Sequence, residues 1–203
     1  MSLTISLSPT QVEERLGSIG IRCQFSSREK AQFATTPVVS RPERILAFPT
    51  PQENTSLSLR NIKRCVGSDP SHQPCVFEHP WYENEDFFSS PCPPGWHFLM
   101  MDVMEGSIQH SVDYLRSSGL TGLALPQGVE VVLMLFLHYL GTREQLLLKK
   151  HSWCSDKASM ARHVTVGAFG RNGVFLSGHP ANFASQGLGI CAKVVVGDNG
   201  VRP

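Results

Sequence analysis

An apolar helix in the second half of the chain is the feature that most constrains the fold. Pro126 suits the first position of a helix, and Gly141 suits the position after its last turn. After the first two positions of this segment, only Glu130 and His138 interrupt the apolar residues that run to Leu140. A helix without a polar face is a buried helix. The sequence therefore predicts a helix from Pro126 to Leu140 at the centre of the fold.

The residues after this helix predict an antiparallel meander. Segments 162–169 and 174–177 have the composition of strands, and the Asn172–Gly173 pair between them suits the positive φ angles of a tight turn. Segment 187–196 predicts a last strand. A meander packed on a buried helix belongs to the α+β class, which is the fold class that we expect.

The start of the chain carries a clear helix signal followed by a strand signal. Ser8 can cap a helix, Pro9 suits its first position, and Gln11 can complete a capping box. Residues 19–25 then alternate between apolar and polar in the manner of a strand. We therefore expect a short helix and a strand before a long polar connection.

Prolines break up the chain between Ser68 and Gly95, where no long regular element can form. We expect one domain over residues 1–203. Within it, residues 1–100 form an irregular, aromatic and proline-rich half with short helices and strands. Residues 101–203 form the half that contains helices and antiparallel strands.

The composition excludes several classes of protein. The chain has 203 residues, a formal net charge of +1, and 41% hydrophobic residues. Disorder requires low hydrophobicity and high net charge, and nucleic-acid binding requires a basic surface, so we predict neither. The longest apolar run, Val131 to Leu137, is too short for a membrane span, and no signal peptide precedes it. We expect a soluble, cytoplasmic protein.

The cysteines and histidines do not form a recognisable metal motif. The six cysteines are widely spread along the chain: Cys23, Cys65, Cys75, Cys92, Cys154 and Cys191. Structural zinc sites usually have paired ligands two to four residues apart, and only Cys75 and His79 approach that spacing. Glycine-rich phosphate-binding motifs are also missing. We therefore predict no metal and no cofactor.

The segment from His79 to His97 is the strongest candidate for a binding surface. It holds Trp81, Tyr82 and Trp96 in backbone that prolines keep irregular. Large aromatic side chains on such loops serve either as ligand contacts or as a plug over the core. We predict that these three residues bind a ligand, and a core plug is the alternative.

Candidate catalytic residues are scattered through the chain. Cys154 lies near His151 and His163, as a nucleophile and base would. His97 lies in a predicted strand that acidic residues follow, so it could serve acid–base chemistry. No local catalytic signature accompanies them, so His97, Cys154 and His163 are candidates without an assigned role.

One short phrase resembles a known family. Cys92-Pro93-Pro94-Gly95-Trp96-His97 is similar to the Cys-Pro-x-Gly-Trp-His phrase of bacterial C-type-lectin-like domains. In those domains a strand and then a helix follow. The next residues, Phe98 to Met101, depart from that family's pattern. The resemblance therefore implies local structure only and assigns no binding residue.

Two classes of function fit these observations. The first is a non-catalytic binding or interaction module that uses the aromatic loop to hold a small molecule, a carbohydrate or a protein. The second is a small hydrolase-like enzyme with a His/acid or Cys/His site. Because no catalytic arrangement stands out, we favour the first. A binding module should present Trp81 and Trp96 side by side around a shallow groove.

Overall fold

A computed structural model describes residues 4–35, 37, 39, 41–53, 56–118 and 122–196. The described residues form strands in two mostly antiparallel sheets, together with α-helices. The strands are β1 (Thr4–Ser6), β2 (Ile45–Thr50), β3 (Gly95–Met100), β4 (Leu123–Ala124), β5 (His151–Ala158), β6 (Arg162–Gly170), β7 (Gly173–Pro180), β8 (Leu188–Gly189) and β9 (Lys193–Val194). The helices are α1 (Pro9–Gly17), α2 (Ser27–Gln32), α3 (Leu59–Val66), α4 (Asp86–Ser89), α5 (Val112–Ser117) and α6 (Gly128–Thr142). The predicted α+β class is confirmed.

The central helix α6 is buried, as its sequence predicts. It contacts β5 and β6 of one sheet and β2 and β3 of the other, and α1 also packs against it. Its apolar side chains from Val129 to Leu137 are at most 3% exposed. The helix begins two residues later than expected, at Gly128, and ends at Thr142, where Arg143 takes a left-handed conformation with φ 64°. The prediction of a buried helix at the centre is confirmed.

The four-stranded sheet has the order β7-β6-β5-β8. Strands β6 and β7 form the predicted antiparallel hairpin, and β5 pairs antiparallel with β6 to complete a three-stranded meander. Strand β8, the first part of the predicted last strand, joins β5 in parallel. In the turn between β6 and β7 only Gly173, and not Asn172, has a positive φ angle, at 87°. A β-carbon at Gly173 would lie 2.4 Å from the carbonyl oxygen of Cys75, so this turn requires glycine for space as well as for conformation.

The five-stranded sheet has the order β1-β2-β3-β9-β4 and draws on both halves of the chain. Strands β2 and β3 pair antiparallel over their whole length, from Ile45 opposite Met100 to Thr50 opposite Gly95. Strand β9 then pairs with β3 through Lys193 opposite Leu99. The first half of the chain therefore supplies three strands of a sheet, and short elements and loops surround them.

Two predicted strands differ from the structure. The segment 187–196 divides into β8 and β9, which belong to different sheets, and the buried residues Ile190 to Ala192 cross between them. The segment 19–25 is not a strand: Ile21, Cys23 and Phe25 are buried, but the backbone N–H of Phe25 bonds to the side chain of Glu13 at 2.7 Å. Alternating apolar and polar residues indicate that one face of a segment is buried. An extended segment that lies over the core without strand pairing shows the same alternation as a strand.

The start of α1 follows its sequence signal. Ser8 accepts a hydrogen bond from the backbone N–H of Gln11, and the Gln11 side chain accepts one from the backbone N–H of Ser8. Val12 and Leu16 are buried against the core. The predicted capping box and the apolar side of this helix are both present.

Candidate functional site

Trp81 and Tyr82 attach their loop to the four-stranded sheet. Tyr82 is fully buried and its hydroxyl donates to the carbonyl oxygen of Phe77 at 2.6 Å. The indole of Trp81 is half-buried, and its N–H donates to the carbonyl oxygen of Leu176 in β7 at 3.1 Å. The guanidinium carbon of Arg162 lies 5.8 Å from the same ring. These contacts serve the fold, and ligand binding by Trp81 and Tyr82 stays a prediction.

Trp96 lies on the other sheet. It is half-buried in β3, stacks on Phe98 with ring centroids 5.8 Å apart, and meets Phe33 edge-on at 5.8 Å. Trp81 contacts β7, so the two tryptophans pack on different sheets. The structure does not bring Trp81 and Trp96 together around one groove.

A cavity of about 720 Å³ opens beside Trp96, and we name it the Trp96 cavity. Aromatic and aliphatic side chains form much of its wall, including Trp96, Phe98 and Leu125. The polar side chains on the wall are Gln127, Glu130, Ser155 and Lys193. A largely apolar wall with a few convergent polar groups is typical of a small-molecule site.

Glu130 is the centre of a buried charged cluster at this wall. Its Oε1 atom lies 2.6 Å from Nδ1 of His97 and 2.6 Å from Nζ of Lys193. Its Oε2 atom accepts the backbone N–H of Gln127 at 2.7 Å. Burial alone would raise the pKa of Glu130, but the hydrogen bonds and charges of His97 and Lys193 outweigh burial and lower this pKa to about 2. Glu130 is therefore an ionised, fully partnered carboxylate.

His97 joins this cluster to the loop that precedes β3. Its Nε2 atom lies 3.0 Å from the carbonyl oxygen of Pro93 and 2.8 Å from the hydroxyl of Thr50. The imidazole also stacks on Phe48, with ring centroids 5.0 Å apart. His97 is 1% exposed and therefore acts inside the fold, behind the wall of the Trp96 cavity.

The arrangement of Cys92, His97 and Glu130 has the order of a nucleophile, a base and an orienting acid. The Sγ atom of Cys92 lies 3.8 Å from Nε2 of His97. However, Cys92 is 1% exposed, and burial, followed by the charge of Glu130, raises its thiol pKa well above the ordinary value. A catalytic cysteine requires a lowered pKa and access to substrate. The geometry therefore favours a structural role for this trio.

Thiol labelling checks this interpretation. Of the six cysteines only Cys65 is exposed in the structure, and the other five are buried. We expect Ellman's reagent to modify one thiol of the native protein quickly and the remaining five only after unfolding. A Cys65→Ser variant should then show no fast thiol. Rapid labelling of Cys92 in that variant would contradict the structural role and favour a Cys/His site.

Cys154 and His163 lie near each other but do not form a nucleophile–base pair. The thiol of Cys154 is fully buried and donates to the carbonyl oxygen of Ser152 at 3.6 Å, and burial raises its pKa well above the ordinary value. The Nδ1 atom of His163 is buried and has no hydrogen-bond partner. His163 pairs with His179 across β6 and β7 and meets the ring of Trp153 edge-on. Burial is the main cause that lowers the pKa of His163.

A second cavity, of about 860 Å³, lies between the loops 100–106 and 144–150. Methionines and leucines line it, and Asp102 and Glu105, the acids that follow β3, are at its edge. Two ion pairs join its sides: Lys150 with Asp102 at 2.7 Å, and Arg44 with Glu144 at 3.6 Å. Four of the charged residues that line this cavity are thus paired with each other across it.

Sequence reasoning found Trp96 and His97 but missed Glu130 and Lys193 as site residues. A signal for Glu130 exists, because a lone acid in an otherwise apolar buried helix requires partners. Lys193 carries no such signal, because it stands in a two-residue strand and reaches Glu130 only through the pairing of β9 with β3.

Comparisons with known proteins add no functional information. Searches against protein-family models, curated proteins and solved structures found no significant match. Within the described part of the chain, no group of three or more His, Cys, Asp or Glu side chains is arranged to hold a metal ion. None of the helices among the described residues is long and apolar enough to cross a membrane.

Proposed function

We propose that this protein is a non-catalytic binding module that takes a small molecule into the Trp96 cavity. One observation carries the proposal: an aromatic wall and a cluster of charged and polar groups converge on a cavity of about 720 Å³. This volume lies within the range of small-molecule sites, roughly 300–1,000 Å³. Of the three aromatic residues predicted to bind, Trp96 is the one that lines this cavity.

The groups that face the ligand are held in place before it binds. Phe33 and Phe98 fix the indole of Trp96 from two directions. Glu130 fixes the ammonium group of Lys193, and His97 fixes Glu130 in turn. Preorganised groups lose little conformational entropy on binding, which favours affinity for a ligand that matches them.

A binding role fits this site better than catalysis. Glu130, the acid on the cavity wall, already accepts three hydrogen bonds, and its low pKa makes it a weak base. His97 and Cys92 lie behind the wall and are each 1% exposed. The hydrolase-like alternative would require these buried groups to reach a substrate.

Three matched probes test this function: 2-naphthoate, 2-naphthamide and 2-naphthylmethylammonium, which share one flat apolar body. We expect isothermal titration calorimetry to detect one-to-one binding of at least one probe. The Trp96→Ala substitution should weaken that binding about tenfold or more, because the naphthalene ring of the probe loses the indole on which it stacks.

The Trp81→Ala variant is the matched control, because Trp81 is also half-buried but packs on the other sheet. It should bind the probe with an affinity within about twofold of the parent protein. Thermal melting of both variants verifies that they are folded, and Trp96→Phe replaces Trp96→Ala if the latter does not fold. If none of the three probes binds the parent protein at millimolar concentration, the proposed function is wrong.

A further inference from the structure

We infer that the ligand of the Trp96 cavity carries an acidic group, a carboxylate or a similar oxyanion, that pairs with Lys193. This inference rests on the proposed function and specifies the chemical class of its ligand.

Lys193 is the charged group with capacity left for a ligand. Its side chain is 27% exposed, whereas that of Glu130 is 1% exposed. An ammonium group has three N–H donors. Among the described residues, the Lys193 ammonium group donates to one acceptor, the Oε1 atom of Glu130. Two donors thus remain for the space that Lys193 lines.

The negative charge of Glu130 is already compensated inside the protein. Both of its oxygens are occupied, by His97 and Lys193 on one and by the backbone of Gln127 on the other. Glu130 also lies in the first turn of α6, where the helix dipole stabilises a negative charge. A cationic ligand would therefore find little uncompensated negative charge here.

Both ring nitrogens of His97 face hydrogen-bond acceptors. Its Nδ1 atom faces the carboxylate of Glu130, and its Nε2 atom faces the carbonyl oxygen of Pro93, and both of these oxygens can only accept. The Thr50 hydroxyl donates to the same carbonyl oxygen at 2.7 Å, so it presents a lone pair to Nε2. This geometry suits N–H groups on both ring nitrogens.

Asp156, the acid that follows Ser155, is not among the residues that line the cavity. Asp156 accepts the backbone N–H of Gly128 at 2.6 Å and thus caps the start of α6. By contrast, the Oε1 atom of Gln127, a residue that lines the cavity, is buried without a hydrogen-bond partner.

The same three naphthalene probes test the inference, because they differ mainly in charge. At pH 7.5 we expect 2-naphthoate to bind the parent protein at least about tenfold more tightly than 2-naphthamide, and 2-naphthylmethylammonium to bind most weakly. In Lys193→Met the naphthoate should lose this advantage, and the affinity for the amide should change by no more than about twofold.

Lys150→Met is the matched control, because Lys150 is a lysine paired with an acid, Asp102, at the other cavity. It should keep the preference for naphthoate. If Lys193→Met fails to fold, Lys193→Gln removes the charge but keeps a donor, and it should also lose the preference.

The outcomes separate the inference from the proposed function. Equal binding of naphthoate and naphthamide to the parent protein would overturn the acidic-ligand inference but leave the binding function in place. A preference for naphthoate that survives in the folded Lys193 variants would overturn the assignment to Lys193. Failure of all three probes to bind would overturn both the function and the inference.

Discussion

Replacing Glu130 with alanine is expected to lower the free energy of unfolding by about 3–5 kcal/mol at pH 7, as measured by urea denaturation. The substitution removes the acceptor of three hydrogen bonds, from His97, Lys193 and the backbone of Gln127. Lys193 can turn toward solvent, but His97 is 1% exposed, and its Nδ1 atom would be left buried without a partner. Breaking one side of a buried pair in this way is strongly destabilising.

Two further variants define the cause of this loss. Glu14→Ala removes an exposed acid from helix α1 and should change the free energy of unfolding by no more than about 0.5 kcal/mol. Glu130→Gln keeps the shape of the side chain but loses the charge, so it should fall between the parent protein and Glu130→Ala. A loss in Glu130→Ala no larger than that in Glu14→Ala would show that the cluster does not stabilise the fold.

Acid is expected to destabilise the protein in two separate ranges of pH. Burial lowers the pKa values of His151, His163 and His179, so the folded protein holds these side chains neutral more strongly than the unfolded chain does. Their contribution to stability is therefore fully present above the histidine pKa of the unfolded chain, about 6.5. It is lost as the pH falls from there through the lower pKa values of the folded protein. For each extra proton bound by the unfolded chain, the free energy of unfolding falls by about 1.4 kcal/mol per pH unit.

Glu130 adds a second loss at lower pH. Its pKa is lowered from an ordinary value of 4.5 to about 2. The contribution of Glu130 to stability is present above its pKa in the unfolded chain and is lost as the pH falls through its pKa in the folded protein. The loss therefore begins below about pH 4.5. Urea denaturation at intervals from pH 8 to pH 3 would show both ranges.

Histidine substitutions test whether the buried histidines cause the destabilisation in the first of these pH ranges. His163→Gln should reduce the slope of the free energy of unfolding against pH between pH 6.5 and pH 5, because one buried group no longer titrates. The control His72→Gln changes a histidine whose side chain is 82% exposed and should leave the slope as it is. A free energy of unfolding that stays constant from pH 7.5 to pH 5 would contradict the histidine assignment.

The elements that the sequence predicts correctly are those that local patterns define. The buried helix α6 follows from the lack of a polar face, the start of α1 from its capping box, and the β6–β7 hairpin from its turn. The segments 19–25 and 187–196 show the limit of the same reasoning. Both segments are rich in apolar residues because they cross a core. Their hydrophobic pattern does not indicate which strand, if any, pairs with them.

The aromatic segment from His79 to His97 shows the same division in a single stretch of chain. The sequence marks it as unusual because large aromatic residues stand in irregular backbone. The tertiary structure directs Trp81 to the four-stranded sheet and Trp96 to the five-stranded sheet. Residues close in sequence thus part in space, because the chain passes from one sheet to the other between them.

The sequence by itself determined the α+β class, the central position of α6 and the residue types available for a site. The tertiary structure decided which of those residues meet: His97 and Glu130 are 33 positions apart, and Glu130 and Lys193 are 63 positions apart. Periodicity encodes which face of an element is buried, because the hydrophobic effect acts on each face locally. Which elements become neighbours depends on the packing of the whole chain, and that packing placed the charged cluster beside Trp96.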